Sequence, residues 1–237
     1  MRPTVLLFDI DGTLITSGGA GRRAMARAFD EVYGRSDALA QIQLDGMTDR
    51  LIVRMGIEVI GREPTEEAID AVLAAYLHSL ADEVALVTRE RYRVHRGMRE
   101  AVASALQQGA AVGLGTGNLR AGATIKLGRV ELNGSFAFGG FGCDAEARIE
   151  LIRIGAERGA AALGLPVAEC RVVVIGDTPK DVAAARGIGA EAVGVGTGRF
   201  TPDELRESGA RFAFNDLAEP GAIDALLESG EERAERR

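Results

Sequence analysis

The chain has 237 residues, 46% hydrophobic and 27% charged, with a formal net charge of −7. That length buries one sizeable core, or one core and a small second domain. The acidic balance argues against a general binder of nucleic acid or anionic membrane, while leaving room for a phosphorylated small molecule held by local cations.

No apolar run is long enough to cross a bilayer. Met1-Arg2-Pro3 leads straight into a short strand and not into a secretory leader. There are two cysteines, Cys143 and Cys170. The chain therefore reads as a cytoplasmic protein with reduced thiols and an open oligomeric state.

Thr4-Val5-Leu6-Leu7-Phe8 is a short run of strand formers, the pattern of a parallel strand covered on both faces. A helical pattern follows from Arg22 to Tyr33, then from Asp49 to Ile60 and from Thr65 to Val84. No strand is predicted between Leu14 and Arg91. That stretch is too long for a plain crossover and reads as an inserted helical cap.

From Gly97 onward helix and strand alternate. Strands are predicted at Ala110–Gly115, Phe136–Phe138, Arg171–Ile175 and Ala192–Val195, with a weak one at Arg211–Phe214. Helices are predicted at Met98–Gln108, Leu119–Val130, Glu146–Leu163, Pro179–Arg186, Pro202–Glu207 and Glu219–Leu227. Such alternation implies an α/β fold with a doubly wound parallel sheet. The predicted organisation is a core of residues 1–14 and 91–228, a helical cap of residues 15–90, and a charged, frayed tail of residues 229–237.

The chemistry gathers at the ends of the strands. Asp9-Ile10-Asp11-Gly12-Thr13 follows the first, Thr116-Gly117-Asn118 a second, and Gly176-Asp177-Thr178-Pro179-Lys180-Asp181 a third. In an open α/β sheet the carboxyl ends of the strands share one crevice. Four aspartates meeting there are costly unless a cation neutralises them, and Mg²⁺ with oxygen ligands fits. Asp9 and Asp11, two apart, can face one side. Thr116, Gly117 and Asn118 are candidates to bind phosphate oxygens beside a helix N-terminus. Asp181 can orient this set or simply complement a helix dipole. Arg148 or Lys126 can supply fixed positive charge.

Taken in order, these motifs resemble the haloacid dehalogenase-like hydrolase superfamily, and its phosphoglycolate phosphatase-like branch in particular. The resemblance covers essentially the whole chain, and the insert after Asp11 looks like that branch's helical cap. It implies a Mg²⁺-dependent phosphatase acting on a small phosphorylated metabolite. Asp9 is then the nucleophile, and Asp11 the acid and base for the leaving alcohol and for water. Thr116 and the Gly117 amide hold phosphate. Asp9, the Asp11 carbonyl and Asp177 hold the metal, with Asp181 in support. The third motif departs from the pattern. The family usually has a lysine there; Arg148 aligns in its place and Lys126 is the alternative.

A phosphomutase of the β-phosphoglucomutase type shares the same core motifs and stands as the second reading. A phosphoaspartate signalling domain would lack the long insert. An ordinary aspartic acid costs about 4 kcal/mol to protonate at pH 7, so Asp11 is expected to have its pKa raised by Asp9 and by cap closure. Ser17, Gly18, Gly19, Arg22, Arg23, Thr48, Asp49 and Arg50 are candidates for the leaving-group side. Among them Arg22, Arg23 and Arg50 could receive a substrate carboxylate. The Gly196-Thr197-Gly198-Arg199 turn could border the crevice or be a simple loop.

Overall fold

The computed structural model describes residues 3–227. Its first strand, β1 (Thr4–Phe8), is buried along its whole length. A two-residue strand, β2 (Ile15–Thr16), leads into three helices: α1 (Ala20–Tyr33), α2 (Asp49–Val59) and α3 (Glu66–Leu86). The chain returns through β3 (Arg93–Val94), which pairs antiparallel with β2. Alternation then begins with α4 (Met98–Gln107), β4 (Ala111–Gly115), α5 (Arg120–Gly128) and β5 (Phe138–Gly140). It continues with α6 (Arg148–Ala162), β6 (Arg171–Gly176), α7 (Pro179–Gly187) and β7 (Glu191–Val195). The last described elements are α8 (Pro202–Glu207), β8 (Phe212–Phe214) and α9 (Ala222–Leu227).

The main sheet has the order β5-β4-β1-β6-β7-β8, and every pair in it is parallel. This is the expected doubly wound α/β sheet. Side chains alternate across it, as a strand's period of two requires. Leu6, Phe8, Val173 and Ile175 enter one apolar core with the helical insert; Val5, Leu7 and Val174 enter the other with Leu151 and Ile152 of α6. Both faces are covered, which is why β1, β4 and β6 read as unbroken apolar runs.

Threonine starts many of the helices. Thr48, Thr65, Thr178 and Thr201 each accept a backbone N–H at the N-cap of their helix. Thr178 and Thr201 complete capping boxes with Asp181 and Glu204.

Two sequence expectations need correction. The stretch from Leu14 to Arg91 is not strand-free, because β2 lies within it. Two residues carry too little pattern to register. The strand expected at Phe136–Phe138 runs instead over Phe138–Gly140. Phe136 packs its ring 6.2 Å from that of Phe8. The strand takes glycine at 140 because α6 crosses so closely that a Cβ on Gly140 would sit 1.7 Å from the Leu151 carbonyl oxygen. The predicted tail, 229–237, lies outside the described residues.

Candidate active site

The central position of β1 decides where the site forms. Its neighbours β4 and β6 run in the same direction, so Asp9, Thr116 and Asp177 all leave the sheet at one edge. The Asp9 amide donates to the Ile175 carbonyl at 2.9 Å, and the Thr116 amide to that of Gly140 at 3.0 Å. Gly12 turns the chain immediately afterwards with φ +84°, a conformation that costs glycine little. A Cβ on Gly12 would come 2.3 Å from Asp177 Oδ2, and one on Gly198 would come 1.8 Å from it. The 196–199 turn therefore does border the site. Thr197 Oγ1 donates to the Gly12 carbonyl at 2.6 Å, which fixes that border.

One cluster forms around Asp9. Carboxylate oxygens of Asp9, Asp177 and Asp181 lie within 4.8 Å of one another. Arg148, the first residue of α6, reaches into the cluster with a side chain only 9% exposed. Its guanidinium lies 3.2 Å from Asp9 and donates to Asp181 Oδ1 through Nε at 2.9 Å. The other Asp181 oxygen accepts from the Thr178 amide at 3.1 Å and its hydroxyl at 2.6 Å. Asp181 thus both caps α7 and anchors Arg148; the two roles left open by the sequence are compatible. Asp177 Oδ1 accepts from the Thr13 hydroxyl at 2.8 Å. Burial pushes the Asp9 carboxyl up to about 6, against the lowering pull of Arg148. Burial, with Asp181 and Asp9 adding repulsion, pushes Asp177 well above the usual carboxylate range.

A second cluster forms around Asp11. Lys126 of α5 is buried, and its Nζ lies 2.6 Å from Asp11 Oδ2 and 2.6 Å from Asn118 Oδ1. The Asn118 amide nitrogen donates to the same Asp11 oxygen at 3.0 Å and to Thr116 Oγ1 at 2.8 Å. Ser17 Oγ donates to Asp11 Oδ1 at 2.9 Å. Burial alone would raise Asp11, but the charge and hydrogen bond of Lys126, with Asn118 and Ser17, bring it below the usual carboxylate range. The expected rise of Asp11 is therefore reversed, because Lys126, Asn118 and Ser17 together outweigh desolvation, the largest single effect.

The insert closes over both clusters. A cavity of about 320 Å³ is lined by Asp9, Asp11, Gly117, Asn118, Lys126, Arg148 and Asp177 from one side. Ser17, Arg22, Met25, Leu44, Asp45, Asp49, Ile52 and Tyr76 line it from the other. The start of α2 is stitched to the loop after β4. The Asp49 amide donates to the Gly117 carbonyl at 2.8 Å, and Asp49 Oδ2 accepts from the Leu119 amide at 2.8 Å. A Cβ on Gly117 would lie 2.2 Å from the Met47 carbonyl oxygen.

Of the arginines expected to face a substrate carboxylate, Arg22 lines the cavity and Arg23 and Arg50 are not among its lining residues; groups of the insert hold all three. Arg22 donates to the carbonyls of Leu39 and Ile42 at 3.2 and 3.0 Å. Arg23 pairs with Glu83 at 2.7 Å, and Arg50 with Asp70 at 2.9 Å and with Glu66. Asp49 and Ser17 do line the cavity, as anticipated. Tyr76 was missed because it sits among apolar residues of α3, where a tyrosine reads as core.

The donor set suits a hard divalent ion. Asp9 and Asp177 are held close together at raised pKa, and glycines leave the space beside Asp177 Oδ2 unfilled. Both Asp181 oxygens already accept hydrogen bonds from Arg148 and Thr178. A pH effect follows. A carboxyl raised on folding, as Asp9 is from 3.8 to about 6, contributes stability below about pH 4 that is lost as the pH climbs through 6. Asp177 acts in the same sense. Metal-free Asp177→Asn therefore melts above the metal-free wild type at pH 8, by roughly 2–4 °C per kcal/mol recovered. The gain shrinks towards pH 4. A melting temperature unchanged or lowered at pH 8 would show that repulsion among these acids is already relieved.

No curated protein sequence matches the chain. Among solved structures, a hydrolase from Pseudomonas syringae is 22% identical, with a TM-score of 0.70 over 95% of this chain and 100% of that one. CbbY from Rhodobacter sphaeroides, in complex with phosphate, is 16% identical, with a TM-score of 0.71 over 94% and 100%. A predicted phosphoglycolate phosphatase from Haemophilus somnus is 16% identical, with a TM-score of 0.66 over 96% and 99%. At these identities the likeness is one of fold. The sequence itself matches the haloacid dehalogenase-like hydrolase family over residues 6–186 and the HAD-hydrolase-like family over residues 155–220. With the first match spanning most of the chain, from β1 through α7, this protein belongs to the haloacid dehalogenase-like hydrolase family.

Proposed function

We propose that the protein is a Mg²⁺-dependent phosphatase that hydrolyses a small phosphate monoester through a phosphorylated Asp9. The observation that carries this reading is the shared cavity, in which Asp9, Asp177, Gly117, Asn118 and Asp11 all meet. Residues 15–90 act as the cap and residues 1–14 with 91–228 as the core. A cavity of about 320 Å³ is at the small end for ligand sites, which favours a small metabolite. Two cysteines that form no disulfide suit the reducing cytoplasm.

Asp9 attacks phosphorus, and the bond from phosphorus to the leaving oxygen breaks. The Thr116 hydroxyl and the Gly117 amide hold phosphate oxygens, and Arg148 balances charge on Asp9 and on the transferring group. Asp11 supplies the proton that the leaving oxygen takes, then removes one from the water that hydrolyses the intermediate. Lys126, Asn118 and Ser17 hold the Asp11 carboxyl below the usual carboxylate range, which favours the form needed for the second half. The metal would be held by Asp9, the Asp11 carbonyl and Asp177, with Asp181 keeping Arg148 in place. When bound, it neutralises the acid cluster and part of the phosphate charge.

The test is hydrolysis of p-nitrophenyl phosphate by purified protein before and after chelation. Turnover is expected with Mg²⁺, lost on chelation and restored by Mg²⁺. Turnover indifferent to chelation would remove the metal from the reading. No turnover on any of a panel of phosphate monoesters would remove the phosphatase.

A further inference from the structure

The acid cluster uses Arg148, so a second buried cation in the cavity, Lys126, is left without a role. It is 4% exposed and lies on α5, away from the Asp9 cluster. Its ammonium touches three groups from three parts of the chain. Asp11 Oδ2 and Asn118 Oδ1 each lie 2.6 Å away. The third is the hydroxyl of Tyr76, which is 1% exposed on α3 and lies beside the ammonium. The site is built closely around this contact. A Cβ on Gly21 of α1 would lie 3.2 Å from Lys126 Nζ and 3.9 Å from the Tyr76 hydroxyl. The Tyr92 hydroxyl donates to the Lys126 carbonyl at 2.9 Å and fixes its backbone.

These contacts divide the two oxygens of Asp11. Oδ2 faces an ammonium and the Asn118 amide, both of which only donate. Among the described residues Oδ1 has a single hydrogen-bond partner, the Ser17 hydroxyl, and a hydroxyl can turn from donor to acceptor. We propose that Lys126 is a positioning residue: it pins Asp11 through Oδ2, leaves Oδ1 as the oxygen that exchanges a proton with substrate, and is itself held in register with the cap by Tyr76. Asp11 then points correctly only while α3 is docked. This rests on the acid and base role of Asp11 proposed above.

Leaving-group chemistry separates this role from a structural one. An alkyl phosphate needs a proton on its departing oxygen, whereas p-nitrophenolate leaves without one. The ratio kcat/KM reports steps only up to that departure. For Lys126→Met, kcat/KM on an alkyl phosphate such as glycerol phosphate is expected to fall about 100-fold or more, against a few-fold on p-nitrophenyl phosphate. Tyr76→Phe removes only a hydroxyl and should show the same bias at roughly fivefold. It decides the matter if Lys126→Met does not fold by circular dichroism and thermal melting. Equal losses on both substrates in a folded variant would overturn the positioning role. Asp11→Asn, measured alongside, keeps the two failures apart. If Asp11→Asn shows the bias and the folded Lys126 and Tyr76 variants do not, only the positioning inference is lost. If Asp11→Asn shows none, the acid–base reading fails and takes the inference with it.

Discussion

Asp9→Asn is expected to lower kcat by on the order of 10⁴-fold or more, the scale seen when a nucleophile that acts as part of a unit is removed. Asparagine keeps the size of Asp9 and its place at the end of β1, but its amide does not attack phosphorus. The fold should survive. Asp9 is one of three acids whose oxygens lie within 4.8 Å, and burial raises its pKa to about 6. Removing that charge relieves repulsion, while Arg148 keeps its bond to Asp181 at 2.9 Å. The decisive pairing is therefore lost turnover with an unchanged or higher melting temperature near neutral pH. Wild-type protein quenched during turnover should carry an acyl phosphate that hydroxylamine cleaves, and the variant should carry none. Appreciable turnover by pure Asp9→Asn would move the nucleophile elsewhere.

Arg148→Ala should do the reverse and damage the fold together with the chemistry. The guanidinium binds Asp181, lies 3.2 Å from Asp9, and donates to the Gly46 carbonyl at 3.3 Å. It is the cation inside the acid cluster, with 9% of its side chain exposed. Removing one partner of a buried ion pair typically costs 3–5 kcal/mol, because an uncompensated charge remains. For a chain of this length that is a fall of roughly 6–20 °C in Tm. Added Mg²⁺ should restore part of the stability by replacing the missing charge. Arg148→Lys should recover stability better than activity, since an ammonium cannot span two carboxylates with a planar fork. A Tm within a degree or two of wild type for Arg148→Ala would mean that solvent or a bound cation already compensates these acids.

The residues on strands were the easiest to read. β1, β4 and β6 are covered on both sides, so their sequences are apolar runs that end abruptly in Asp9, Thr116 and Asp177. Linear order and sheet topology were enough to predict that these three meet. Contacts that cross between helices were not legible in this way. Lys126 on α5 looks like an ordinary helix-face lysine, and its charge was considered for the third motif. Only the packing of α5 against α3 and the 116–118 loop turns it towards Asp11. The same packing reverses the expected shift of Asp11. Arg22, Arg23 and Arg50 show the opposite error. In sequence all three could face a ligand; acids hold Arg23 and Arg50 outside the cavity lining, while Arg22 lines it with its guanidinium held by two carbonyls. β5 was misplaced because glycine is a poor strand former, and the demand for Gly140 comes from α6.

The glycines at 12, 117 and 198 have a meaning for how such a protein can diversify. At each of them the first carbon of any side chain would collide with Asp177 or with the backbone of the segment preceding α2. The floor of the cavity is therefore closed to mutational tuning: it tolerates no added atoms, and its acids are tied to one another. The opposite wall is different. Met25, Leu44 and Ile52 line the cavity as replaceable side chains. Drift in substrate preference has somewhere to go only on that wall, so selection can reshape what the protein accepts while leaving its reacting groups unaltered.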